Sequence, residues 1–94
     1  MSRKKPSPTE IQLTHQRNTI AAIIFRAGSQ QALADQLGVS QAAISKWLIR
    51  GWLPLQRAAE VEALYGVPRT TIANPRVVSL LATAESLMPT LIEA

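Results

Sequence analysis

The sequence contains no cysteine and a single histidine among its 94 residues. Without a thiol, the chain forms no disulfide and offers no thiolate to a metal or a substrate. His15 has no second histidine beside it, and the six acidic residues are scattered along the chain. Since catalysis needs reactive side chains that converge on one place, we expect a protein that is not an enzyme. We also expect no metal and no cofactor.

Long hydrophobic stretches are absent as well, because no apolar run approaches the roughly 20 residues of a membrane-spanning helix. We therefore expect one small domain without membrane contact. Positive charge is plentiful, with a net charge of +4 and a pI near 10.4. This balance favours an acidic partner, but charge alone fits nucleic acid, a membrane surface or an acidic protein about equally.

Residues 29–50, SQQALADQLGVSQAAISKWLIR, predict two short helices joined by a tight turn. Gly38 is suited to end the first helix in a left-handed conformation, and Ser40 is a good N-cap for the second. Helices of about two turns are unstable alone, so these two must pack on a shared core. The apolar positions at helical spacing are Leu33, Ala34 and Leu37 in the first helix, and Ile44, Trp47 and Leu48 in the second.

This pattern resembles the DNA-binding helix-turn-helix of phage and bacterial repressors. Counted from Gln30, the small Ala34 is fifth, where crossing helices leave little room, and Gly38 is ninth, at the turn. With the following segment RGWLPLQRAAEVEALYGVPRTTIANP, the chain is similar to the small Cro-type regulators, including the YdaS-type antitoxin or repressor group. The resemblance covers about residues 14–75 and implies a DNA-binding regulator located in the bacterial cytoplasm or nucleoid.

We predict an all-α fold, a compact lambda-repressor-like helix-turn-helix domain of four to five helices with an additional C-terminal helix. The domain is expected at residues 14–75, with the motif at residues 29–50. Pro54 favours the start of a helix after the motif. The apolar faces expected on the flanking helices are Ile20, Ala21, Ile24 and Phe25 before the motif, and Ala58, Val61, Leu64 and Tyr65 after it. Local ion pairs are expected between Arg57 and Glu60 and between Glu62 and Arg69.

The two ends of the chain are predicted to differ in character. Residues 1–13 are expected to form a flexible basic arm, which either reaches DNA or serves as a solubilising tail. Residues 76–94 are expected to form an apolar helix that folds back on the domain or pairs with its copy in another subunit. We favour the subunit contact, because a single helix-turn-helix reads only a short half-site. The helix after Pro54 is the alternative dimer element. The expected oligomerisation residues are Val77, Leu80, Leu81, Ala84, Leu87 and Met88.

The second helix of the motif fits the major groove, where the base edges distinguish all four base pairs. Gln41 can bond adenine N6 and N7, Lys46 can reach guanine O6 or N7, and Ala42 can pack on a thymine methyl group. No acidic residue occurs between residues 40 and 50, so no negative charge there would repel a phosphate. The alternative is that the polar residues of this helix only face solvent. The predicted base-reading residues are Ser40, Gln41, Ala42, Ser45 and Lys46.

Backbone contacts are expected from the start of the first motif helix and from basic side chains. In repressors of similar pattern, a glutamine at the place of Gln30 binds a phosphate and steadies the glutamine eleven residues later, which here is Gln41. Asp35 is expected to face solvent or Arg26. The predicted phosphate-binding residues are Ser29, Gln30, Arg50, Arg3, Lys4 and Lys5.

We therefore expect a transcriptional regulator that binds double-stranded DNA. A phage- or prophage-type repressor, acting as a homodimer or higher homo-oligomer on an inverted-repeat operator, is the first hypothesis. An antitoxin that binds both DNA and a toxin protein is one alternative, and a small phage-type activator is another.

Overall fold

Five α-helices and one short 3₁₀ turn make up residues 7–87, the part of the chain that the computed structural model describes. Side chains are described for residues 7–84. The predicted all-α class is confirmed, since no β-sheet forms within these residues. The helices are α1 (Pro8–Ala27), α2 (Gln30–Leu37), α3 (Gln41–Arg50), α4 (Leu55–Tyr65) and α5 (Pro75–Leu87), with the 3₁₀ turn at Arg69–Thr71.

Helix α1 begins at Pro8 rather than near residue 14, so the second half of the predicted arm is helical. The Ser7 hydroxyl accepts a hydrogen bond from the Glu10 N–H at 3.1 Å, and the Glu10 carboxylate accepts one from the Ser7 N–H at 3.3 Å. This capping box satisfies two backbone donors that the first turn leaves open, and proline is favoured at the first helical position. The basic residues Arg3, Lys4 and Lys5 lie outside the described residues.

The buried face of α1 differs from the predicted stripe. Ile20 is buried as expected, but Ala21 is exposed and the Phe25 side chain is 87% exposed. Gln16 and Ile23 are buried in their place. The first buried position of α1 is therefore polar. The buried residues Gln16, Ile20 and Ile23 follow an i, i+4, i+7 spacing, which apolar residues alone do not reveal.

The core lies where α1, α2 and α3 meet and extends under α4. Trp47 is buried, as the motif predicts, whereas Leu64 on α4 is 55% exposed and lies off the expected inner face. Both expected ion pairs are present, at 3.0 Å for Arg57–Glu60 and 2.8 Å for Glu62–Arg69. The buried apolar residues are Ile20, Ile23, Leu33, Ala34, Leu37, Ile44, Trp47, Leu53, Ala58, Val61, Ile72 and Ala73.

Two distant loops complete this core by pairing with each other. After α3 the chain returns inward, and the Leu53 N–H donates to the Ile72 carbonyl at 2.8 Å. Leu53 and Ala73 form an isolated parallel bridge. Ile72 and Ala73, which directly follow the 3₁₀ turn, are completely buried. Their burial ties the end of the domain to the segment that follows α3.

Gln16 joins α1 to both of these loops. Its Nε2 group donates to the Gly51 carbonyl at 2.8 Å and to the Ala73 carbonyl at 3.0 Å. Its Oε1 accepts from Gln12 Nε2 at 3.3 Å. The residue is only 3% exposed, so these bonds satisfy a side chain that water does not reach.

Replacing Gln16 with leucine should therefore destabilise the fold, because two buried carbonyl oxygens would lose their donor. Each unsatisfied group costs about 1–3 kcal/mol, so we expect Gln16→Leu to lower the free energy of unfolding by about 2–4 kcal/mol. Urea unfolding followed by circular dichroism measures this difference. Gln56→Leu, at an exposed position on α4, is the matched control and should change it by less than about 0.5 kcal/mol. Equal stability of the two variants would contradict the bridging role of Gln16.

Candidate nucleic-acid interface

Serine caps and a left-handed glycine hold α2 and α3 in a helix-turn-helix. The Ser29 hydroxyl accepts from the Ala32 N–H at 3.0 Å, and the Ser40 hydroxyl accepts from the Ala43 N–H at 3.2 Å. Between the helices Gly38 has φ +68°, a left-handed conformation that favours glycine. Both serines were predicted to contact DNA. Their oxygens act as caps, while each hydroxyl hydrogen is left as a donor.

Helix α3 has one buried side and one exposed side. Ile44 and Trp47 face the core. Gln41, Ala42 and Lys46 are exposed on the opposite side, within about one and a half turns of each other. The structure thus brings these three predicted base-reading residues together on one surface, which we call the α3 outer face.

Ser45 and Gln30 form a direct contact between the two motif helices. The Ser45 hydroxyl donates to Gln30 Oε1 at 2.6 Å, and both residues are half-buried. The resemblance to repressors implied that Gln30 steadies Gln41. In this chain the α3 partner of Gln30 is Ser45, because a hydroxyl there lies within reach of the first residue of α2.

Arg50, a predicted phosphate-binding residue, is anchored at the end of α3. Its Nε donates to the Trp52 carbonyl at 3.0 Å, and its guanidinium carbon lies 3.4 Å from the centre of the Trp52 ring. Partial burial lowers the pKa of Arg50, although a guanidinium stays charged at neutral pH. Since the anchoring bond uses Nε, the terminal nitrogens can still face an anion.

Arg17 was not among the predicted site residues, yet it holds the same helix end from α1. Its Nε donates to the Ile49 carbonyl at 2.7 Å. Beside it the backbones approach closely, since a Cβ on Gly51 would lie 2.9 Å from the Leu13 carbonyl oxygen. Gly51 also has φ +89°. Nothing in the sequence around Gly51 indicates that α1 packs against this glycine.

Helix α3 has no acidic residue, and the one acidic residue of the motif, Asp35, lies on α2. Asp35 is exposed and accepts from Gln31 Nε2 at 2.8 Å, so the expectation that it faces solvent is confirmed. Arg26 is not its partner. Arg26 donates to the Tyr65 carbonyl at 3.1 Å and lies 5.1 Å from the Tyr65 ring centre. The α3 outer face therefore carries positive charge without a carboxylate on its own helix.

Residues 7–87 hold no group of three or more His, Cys, Asp or Glu side chains that could bind a metal ion. Within the same range, no helix combines the length and the hydropathy needed to cross a bilayer. His15 is exposed on α1.

A family model described as bacterial toxin YdaS matches residues 20–70, which is more than half of the chain. The chain belongs to the YdaS family. The match takes in α2, α3 and α4 together with the last eight residues of α1. The YdaS part of the predicted resemblance is confirmed, and membership of the YdaS family fits a toxin- or antitoxin-like protein or a Cro-type regulator. No curated protein and no solved structure matches the chain.

Proposed function

We propose that this chain is a sequence-specific DNA-binding regulator of transcription, of the repressor type found in phages and prophages. The α3 outer face supports this proposal most directly. It presents an amide, a methyl group and an ammonium group from Gln41, Ala42 and Lys46. These are the groups that pair with adenine, thymine and guanine edges in the major groove.

The dimensions and the charge of α3 support the same proposal. A helix of ten residues is about 15 Å long, and the B-DNA major groove is about 12 Å wide and accepts one helix. The chain has a net charge of +4, which favours approach to a polyanion. In this arrangement the caps at Ser29 and Ser40 and the anchored Arg50 lie at the helix ends, where phosphates would pass.

Substitutions on the α3 outer face should reduce discrimination between DNA sequences. We expect Gln41→Ala and Lys46→Ala each to reduce the preference for an operator over random DNA by roughly 5- to 150-fold, the value of one lost base contact of about 1–3 kcal/mol. The operator is first selected from a random library and from DNA upstream of the gene. Dissociation constants for operator and random DNA are then measured by fluorescence anisotropy at matched salt.

Arg76→Ala is the control for charge, because Arg76 is an exposed cation in the first turn of α5. It should weaken binding to both DNAs equally and leave the preference unchanged. Equal losses on both DNAs for Gln41→Ala and Lys46→Ala would contradict base reading. Failure of the unmodified protein to enrich any sequence would overturn the proposed function.

Helix α5 supports a homodimer as the DNA-binding form. Val78 packs against the core, but Leu80 is 66% exposed, and Leu81 and Ala84 are also exposed. No charged residue occurs from Val77 to Ala84. This face therefore has no charge that could pair with an oppositely charged face of a different protein. We infer that a second copy covers it. The side chain of Leu87 and all of Met88 lie outside the described side chains.

A charge introduced on α5 should separate the subunits. Leu80→Lys is expected to give a monomer at micromolar concentration in sedimentation equilibrium, since a lysine at an apolar contact would be desolvated. Leu64→Lys, at a similarly exposed leucine on α4, should leave the dimer intact. Dissociation by Leu64→Lys alone would instead assign the interface to α4, and a monomeric unmodified protein would contradict the dimer.

The description of the YdaS family as a bacterial toxin supports a second candidate function, a toxin that inhibits bacterial growth. The two candidates predict different behaviour of the double variant Gln41→Ala, Lys46→Ala when it is expressed from an inducible promoter in bacteria. A regulator should affect growth only while it binds DNA, so the double variant should be harmless. Growth arrest by a variant that no longer binds the operator, recorded as optical density after induction, would favour the toxin.

An antitoxin and a small activator would use the same DNA-binding surface as the repressor. An antitoxin differs in holding a second protein, so a toxin encoded beside it would co-purify with it. An activator would raise transcription from the bound promoter in a purified system, whereas a repressor would lower it. Repression has the simplest requirement, since occupying a promoter is sufficient.

A further inference from the structure

The hydrogen bond between α2 and α3 gives Gln30 a defined orientation. The Ser45 hydroxyl donates to Gln30 Oε1 at 2.6 Å, which is at the short end of the range for O–H···O bonds. A carboxamide is planar, with its acceptor oxygen and its donor nitrogen on opposite sides. Because the Ser45 hydroxyl occupies the oxygen, the Nε2 group with its two N–H donors points away from that hydroxyl.

The surroundings of this pair link it to the α3 outer face. Ser45 is one turn from Gln41 and adjacent in sequence to Lys46, both of which are exposed. Gln30 is the first residue of α2. The amino group of Gln30 therefore lies at the border between the outer face and the start of α2. A duplex that contacts the outer face would bring a backbone strand to this border.

The Nε2 group of Gln30 has only N–H donors to offer, so its partner must be a hydrogen-bond acceptor. Phosphate oxygens accept hydrogen bonds and never donate them, so an amide that offers donors suits the DNA backbone. Ser45 is half-buried and its hydrogen is committed to Gln30. The hydroxyl is therefore poorly available to a base edge, although the sequence predicts a base-reading role for Ser45.

We propose that Ser45 is a positioning residue, whose hydroxyl holds the Gln30 carboxamide so that its amino group donates to a DNA phosphate. The proposal rests on the DNA-binding function proposed above. It gives two residues a joint role that does not depend on sequence. Because Gln30 is neutral, this contact strengthens binding without displacing a counterion, so it leaves the salt dependence of binding unchanged.

A double-mutant cycle tests the joint role. Dissociation constants for operator and random DNA are measured at several salt concentrations for Ser45→Ala, Gln30→Ala and the double variant. We expect each single variant to weaken binding to both DNAs by about the same factor, roughly 3- to 10-fold for one hydrogen bond. The double variant should bind no more weakly than Gln30→Ala alone, because the two residues make one contact. The slope of log K against log salt should stay the same.

A charge variant tests the orientation without removing the bond to Ser45. Gln30→Glu keeps an oxygen that accepts from Ser45 but replaces the donor group with an anionic oxygen. Binding should fall further than in Gln30→Ala, because that oxygen would repel the phosphate. The matched control is Gln36→Glu, since Gln36 lies near the other end of α2 and its Oε1 likewise accepts from a hydroxyl, that of Tyr65. It should weaken binding far less than Gln30→Glu.

Thermal unfolding of every variant separates binding from folding. Gln30→Glu retains the hydrogen bond from Ser45 between α2 and α3. If Ser45→Ala proves unstable, Gln30→Glu therefore still tests whether residue 30 donates to a phosphate. Additive losses in the cycle, a loss confined to the operator, or equal effects of Gln30→Glu and Gln36→Glu would overturn the positioning role while DNA binding stands. If the unmodified protein binds neither DNA, the proposed function is wrong and the inference falls with it.

Discussion

The arrangement of the domain depends on the buried side-chain amide of Gln16. Its two N–H donors bond the Gly51 and Ala73 carbonyls, and its oxygen accepts from Gln12. A buried amide is costly unless every polar atom has a partner, so the fold is stable only when these two loops lie against α1. The amide thereby fixes where α3 ends and where the segment before α5 returns to the core.

This constraint explains how a small domain can present one helix to a partner. The end of α3 is held from α1 by the Gln16 contact at Gly51 and by the Arg17 bond to the Ile49 carbonyl. Its inner side is fixed by Trp47 in the core. Since all of these contacts are on one side, the opposite side remains free to bind. A rigid helix also lowers the entropic cost of ordering its side chains on a ligand.

The sequence predicted α2 and α3 well and the flanking helices less well. The limits of the motif helices follow from caps at Ser29 and Ser40 and from Gly38, which act over three or four residues. The inner face of α1 was predicted only in part: Ile20 and Ile24 pack in or against the core, but the first buried residue of this face, Gln16, is polar. Apolar periodicity then favoured Phe25, a residue that the fold leaves exposed. On α4 the same reasoning placed Leu64 inward, although only part of that helix is covered.

The sequence by itself determined the helical class, the limits of the motif helices, their shared core and the exposed row of Gln41, Ala42 and Lys46. These features follow from backbone conformation and from helical periodicity, which are local properties. Only the tertiary structure decided that Gln16 is buried and that Gln30 pairs with Ser45 rather than with Gln41. The hydrogen-bond partner of a polar side chain depends on which groups lie close to it in space, and those distances are fixed only when the helices have packed.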